Sequence, residues 1–195
     1  MWQQVYQQHR DDNVEVIAIA CDVQGPTAVQ PWVQKAGATF TTLIDTDNKL
    51  AAMFGFNFVP LTIWLNKDGT ITRPPTGGDI HREKERQQLR EWIENGQVSG
   101  EPTAPSPLTA DQQNARLRVQ FVSRLLNKNK KEQALTQLEL AQQSDPKNWL
   151  IRKQIWAIKY PDRFYKGPID YNWQRQQLKK EQGVKTEQAK SNATE

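Results

Sequence analysis

Few side chains in these 195 residues could carry covalent or acid–base chemistry. There is one cysteine, Cys21, and there are two histidines, His9 and His81. A single cysteine excludes a disulfide, a dithiol redox pair or a Cys-rich zinc site within the chain. Two well-separated histidines do not make a His-based metal site, so neither a metal nor a cofactor is expected. Cys21 ends the apolar run VEVIAIA at 14–20 and does not open a helix, so it reads as a buried, inert thiol. His9 falls beside the apolar face of a helix and His81 in a charged helix start, and both read as structural or solvated. No catalytic residue is assigned.

The elements around these residues alternate. Trp2, Val5, Tyr6 and His9 recur at helical spacing, which predicts a helix over 1–9. Residues 14–20 form a short β-branched, nearly continuous apolar run, as in a strand covered on both faces. Thr27 is placed to cap a helix reaching about 36, with Pro31 in its first turn and Gly37 at its end. A short extended piece at 39–44 precedes a helix over 49–54 that Gly55 ends. LTIWL at 61–65 reads as a second buried strand. The turn Asn66-Lys67-Asp68-Gly69 then returns the chain as an antiparallel partner over 70–73. Asp79 opens an amphipathic helix to about 95. Strands alternating with helices imply an α/β layer.

Composition adds limits. Hydrophobic residues make up 36% of the chain, and no apolar run approaches the ~20 residues of a membrane span. The start lacks a basic stretch followed by an apolar one, so no signal peptide is expected. Residues 1–100 hold 9 basic and 12 acidic residues, a net −3, whereas 101–195 hold 17 and 10, a net +7. The basic half carries interspersed acids and no nucleic-acid-binding motif, so no nucleic-acid partner is expected.

Residues 14–72 resemble the thioredoxin-fold redoxins of the TlpA/ResA and AhpC/TSA type. The resemblance rests on VEVIAIACD at 14–22, FTTLIDTDNKLAAMFGF at 40–56 and VPLTIWLNKDGTI at 59–71. It implies a cis Val59–Pro60 bond and assigns Val59 and Pro60 to substrate binding, beside a protein disulfide or an extended peptide. Leu61 departs from the threonine more usual after that proline. The larger departure is the family's Cys-x-x-Cys at a helix N-terminus, where the helix lowers a thiol pKa. By this resemblance the helix at 1–9 matches only the later part of that long helix. The preceding strand and the cysteine pair are then expected upstream of Met1. The fold expected is an incomplete thioredoxin-like α/β domain lacking its central strand, followed by a small all-α helical hairpin. Intact relatives often work outside the cytoplasm, and the chain itself assigns no compartment.

Residues 96–109 are rich in Pro, Gly and Ser and predict a linker. Helices follow at about 110–127 and 130–144, with a third from about 149 to just before Pro161. Over 115–148, Ala134, Leu138, Ala141 and Pro146 resemble a tetratricopeptide repeat in their spacing. The expected organisation is a thioredoxin-like domain over 1–96, a linker over 97–109 and a tetratricopeptide-like region over 110–160. An aromatic-rich segment over 161–180 and a disordered tail over 181–195 complete it. The family activity is thiol–disulfide exchange, expected to be absent here without the cysteine pair. The alternative is a non-catalytic module that binds a protein partner through the helical half.

Overall fold

The computed structural model describes residues 2–98 and 107–192. Helix α1 (Trp2–His9) buries Val5, the middle of its apolar stripe. A 3-10 turn at Arg10–Asp12 then closes on Asn13 in the left-handed region. Strand β1 (Ile17–Ala20) leads to helix α2 (Pro26–Ala36). This helix starts at Pro26, not after a Thr27 cap. Pro26 fits the first helical position because its φ is preset and its missing N–H would be unpaired there in any case. Pro31 therefore sits inside the helix, not in its first turn, and one backbone bond is absent from the ladder. Gly37, at φ 58°, ends α2 as expected.

Strand β2 (Thr41–Ile44) pairs with β1 in parallel, Ile17 against Thr41 through Ala20 against Ile44. Helix α3 (Lys49–Phe54) ends on the left-handed Gly55. Strand β3 (Thr62–Leu65) and strand β4 (Ile71–Thr76) form an antiparallel hairpin across the predicted Asp-Gly turn, with register irregularities around Trp64. The two ladders are separate two-stranded sheets, and β1 does not pair with β3. Helix α4 (Glu83–Asn95) follows. Its Leu89 packs with Val5, Trp64 and Ile80.

Helix α5 (Ala110–Val119) starts in a capping box, with Thr109 and Gln112 satisfying each other's backbone N–H groups. A break at Gln120 and Phe121 separates it from helix α6 (Val122–Asn127). Both pack on helix α7 (Lys131–Ser144), giving the expected helical hairpin. Helix α8 (Trp149–Lys159) follows the Asp145-Pro146 link. Ala115, Val119, Val122, Ala134, Leu138, Ala141 and Ile151 are all at most 1% exposed, so the hairpin core is closed.

The chain divides into two compact units, Met1–Ile155 and Trp156–Glu195, with α8 starting in the first and ending in the second. This differs from the boundary expected at 97–109, of which 99–106 lie outside the described residues. The helical hairpin and the α/β part make one unit because α5 and α8 send polar side chains into the α/β part. In the second unit, helix α9 (Pro161–Tyr165) and helix α10 (Tyr171–Asn192) replace the irregular segment and much of the tail expected there. Gln, Lys, Glu and Ala are good helix formers, so a segment too polar for a core still has helical propensity. Trp173 gathers this unit's aromatic rings: Trp156, Tyr160 and Phe164 meet it edge-on at 5.6, 5.3 and 6.0 Å.

Candidate functional site

The loop between α3 and β3 carries Val59 and Pro60. Gly55 turns the chain out of α3, and Phe56 is buried behind it. The Val59–Pro60 peptide bond is cis, as the resemblance implies. Pro60 is exposed and Val59 half-buried. Val59 and Leu61 pack against the cluster of Ala51, Phe56 and Leu150, which Cys21 also joins. The end of β1 and the start of β3 therefore meet around one apolar cluster. Farther along, Gly78 comes so close to Thr62 that an added Cβ would strike its methyl group. That contact holds the loop after β4 against the first residue of β3.

Two long-range anchors fix this loop from the helical side. Leu150 N–H donates to the Asn57 carbonyl at 3.0 Å. The buried Arg116 guanidinium donates to the carbonyls of Ala51 and Phe56, the latter at 3.3 Å. A cation here sits at the negative end of the α3 dipole, where the Ala51 carbonyl also accepts from Gly55 N–H at 3.1 Å. Burial pushes the Arg116 pKa down, and Asp145 opposes that shift. The sequence signal for Arg116 was a charge between the apolar Ala115 and Val119, but nothing local to it points to α3.

Cys21 lies just past β1 in a half-buried position. Its pKa is pushed up to about 12, first by burial and then by Asp45 and Asp22. A thiol in that state stays protonated at neutral pH, which works against the thiolate that nucleophilic attack requires. Gln154 clamps the same turn: its amide donates to the Cys21 carbonyl at 2.9 Å and accepts from Val23 N–H at 3.2 Å. The cavity beside Cys21, lined also by Asn48, Val119 and Ile151, measures about 10 Å³. That leaves room for no more than about one water molecule. His9 pairs with Asp12 at 2.8 Å, and the exposed His81 lies in a turn closed by Asp79. The structure does not bring Cys21 and either histidine together as a site. Among the described residues, no group of three or more His, Cys, Asp or Glu is placed to hold a metal ion. No helix among them is long and apolar enough to cross a membrane.

The sheets beside this loop are open. In the β1–β2 ladder the Ala20 carbonyl accepts from Asp45, so Ala18 and Ala20 face β2. The backbone groups of Ile17 and Ile19 then point to the other edge. Their side chains share one exposed face with Leu43. On the hairpin, Leu65 and its cross-strand partner Ile71 are likewise exposed. The opposite side is closed by Arg73, which pairs with Glu85 at 2.6 Å and lies over the Trp64 ring at 4.4 Å.

The residues that match known proteins include this loop. The AhpC/TSA family matches residues 1–73. The thiol-disulfide oxidoreductase ResA of Halalkalibacterium halodurans is 29% identical over 76 residues, 39% of this chain and 43% of that protein. The match thus spans less than half the length of the curated relative. No solved structure matches the chain significantly.

Proposed function

We propose, from the match of residues 1–73 to the AhpC/TSA family, that the chain carries the substrate-facing side of a thiol–disulfide exchange module without its redox pair. The observation that carries this reading is the exposed Pro60 ahead of β3, in a loop that Val59 and Leu61 seat on the apolar cluster Cys21 also joins, within the residues that match the family. Val59 and Pro60 would present their backbone to an extended peptide or protein disulfide. Thiol–disulfide exchange needs a thiolate that attacks one sulfur of a disulfide while the other sulfur leaves as a thiolate. The chain's single cysteine stays protonated at neutral pH and has no second cysteine to resolve a mixed disulfide.

An incomplete core belongs to the same proposal. The separate sheets support it, as do the edge-facing backbone groups of Ile17 and Ile19. A strand lying between β1 and β3 would pair both edges and cover part of the exposed apolar face. The test is a turnover assay with purified residues 1–195 and a protein disulfide under dithiothreitol. The reading expects no rate above the reductant alone, and a rate above it that C21A abolishes would overturn the reading.

A second reading is favoured by a different observation. Leu117 and Phe121 on the outward face of α5 and the break after it are each 54% exposed, although the inward face is closed. That face of the tetratricopeptide-like hairpin would bind a protein partner, with the α/β part as its scaffold. Retention of a partner that F121A releases supports this reading, and retention unchanged by F121A counts against it.

A further inference from the structure

An open depression of about 520 Å³ runs between α6 and α7, with Phe121, Arg124, Leu125 and Lys128 on one side and Thr136 and Gln137 on the other. Its volume falls in the range of pockets that take a few side chains. Two features set its chemistry. Phe121 and Leu125 are four residues apart and form an apolar floor, half of the Phe121 ring being exposed. Arg124 and Lys128 are also four apart and flank that floor, and no carboxylate lines the depression. Neither cation forms an ion pair among the described residues. Arg124 lies only over the Phe121 ring, at 5.8 Å.

The surrounding sequence strengthens the bias. Between 115 and 137 there are six Lys and Arg residues and one acidic residue, Glu132. Of the six, Arg116 is buried against α3 and Arg118 is bonded to Gln137 at 3.0 Å at the head of the depression. A cationic rim over an apolar floor selects against basic partners and for acidic ones. The four-residue spacing on both the floor and the rim matches the repeat of an amphipathic helix laid along it.

We propose that this depression docks an acidic amphipathic helix of a partner protein. An apolar side chain of the partner would sit between Phe121 and Leu125, and its carboxylates would meet Arg124 and Lys128. The proposal rests on the second reading above and names the partner's chemistry.

The probe is a labelled, helix-constrained peptide with leucines at i, i+3, i+4 and i+7 and glutamates elsewhere. Its two controls carry lysine for glutamate or alanine for leucine. Binding to the full chain is read by fluorescence anisotropy at low and high salt. The Glu/Leu peptide is expected to bind, more weakly at high salt, and neither control should match it. F121A should weaken it about tenfold, and R124E combined with K128E by a similar factor. The charge-reversal variants lie at exposed positions and keep the test valid if F121A fails to fold. Equal binding of the lysine control, or binding unchanged by all these substitutions, overturns the groove assignment and leaves the second reading standing. So does self-association of the chain that F121A abolishes, or preferential binding of an oligonucleotide or an anionic vesicle through Arg124 and Lys128. If no probe binds but F121A still releases a native partner, the acidic chemistry fails and the partner-binding reading survives.

Discussion

Leu138 and Ile151 are completely buried, whereas Ile17 and Leu43 are 56% and 51% exposed. All four are aliphatic side chains in regular elements of one compact unit. The difference follows from what each element needs. A helix satisfies its own backbone and has only a stripe to cover, and α5, α6 and α7 cover one another's stripes. A strand needs a neighbour on each edge and a layer on each face, and among the described residues β1 pairs with β2 alone. The helical part of the unit therefore closes its own core, while the α/β part holds the candidate loop at Val59 and Pro60 beside an open sheet.

The sharpest contrast comes from truncating one residue in each region. L138A removes a fully buried side chain at a closed helix crossing and should cost about 2–5 kcal/mol in urea unfolding. I17A, on the exposed sheet face, should stay within about 0.5 kcal/mol. Equal costs would erase the distinction between the regions.

A smaller effect tests the one tight contact that the open region does have. G78A drives a methyl group into Thr62 and should destabilise by about 1–3 kcal/mol. T62S removes the methyl group that would be struck, so the double variant should recover part of that loss. A G78A loss that T62S leaves untouched would place the strain elsewhere.

The most gradual effect is a pH slope at the seam between the regions. Cys21 holds its proton to about pH 12 in the folded chain, against about 8.5 in an unfolded one. Below the unfolded value both states carry the proton, and stability does not depend on this group. Between the two values only the folded state stays protonated, so stability falls as pH rises, by at most about 1.4 kcal/mol per pH unit. Urea midpoints measured across that window should show this slope in the native chain and not in C21A.

The sequence carries much of the local structure and little of the long-range anchoring. The Asp-Gly turn and the glycines at 37 and 55 are local signals, and the hairpin and the ends of α2 and α3 follow them. The apolar run at 14–20 marks β1, but the strand spans only Ile17–Ala20, and Ile17 and Ile19 are exposed where that run predicts cover on both faces. Pro60 could be placed because its setting between Gly55-Phe56 and a strand resembles a known family. The Arg116 and Gln154 anchors could not be placed, since each bonds a carbonyl at least 60 positions away. The expected boundary at 97–109 differs from the observed units for the same reason. Composition marks a flexible stretch, whereas the contacts that join α5 and α8 to the α/β part are long-range. The helix α10 differs from the expected tail because low hydrophobicity argues against a core and not against helical propensity.

Amide hydrogen exchange, resolved residue by residue by NMR, tests most directly whether the sheet beside Val59 and Pro60 is open while the helical hairpin is closed. The amides of Leu138 and Ala141 should exchange only through global unfolding, slowed by about a thousandfold or more. Those of Ile17 and Ile19 should exchange within about tenfold of an unprotected chain. Protection of Ile17 and Ile19 equal to that of Leu138 would mean that the β1 edge is paired, and would contradict the account.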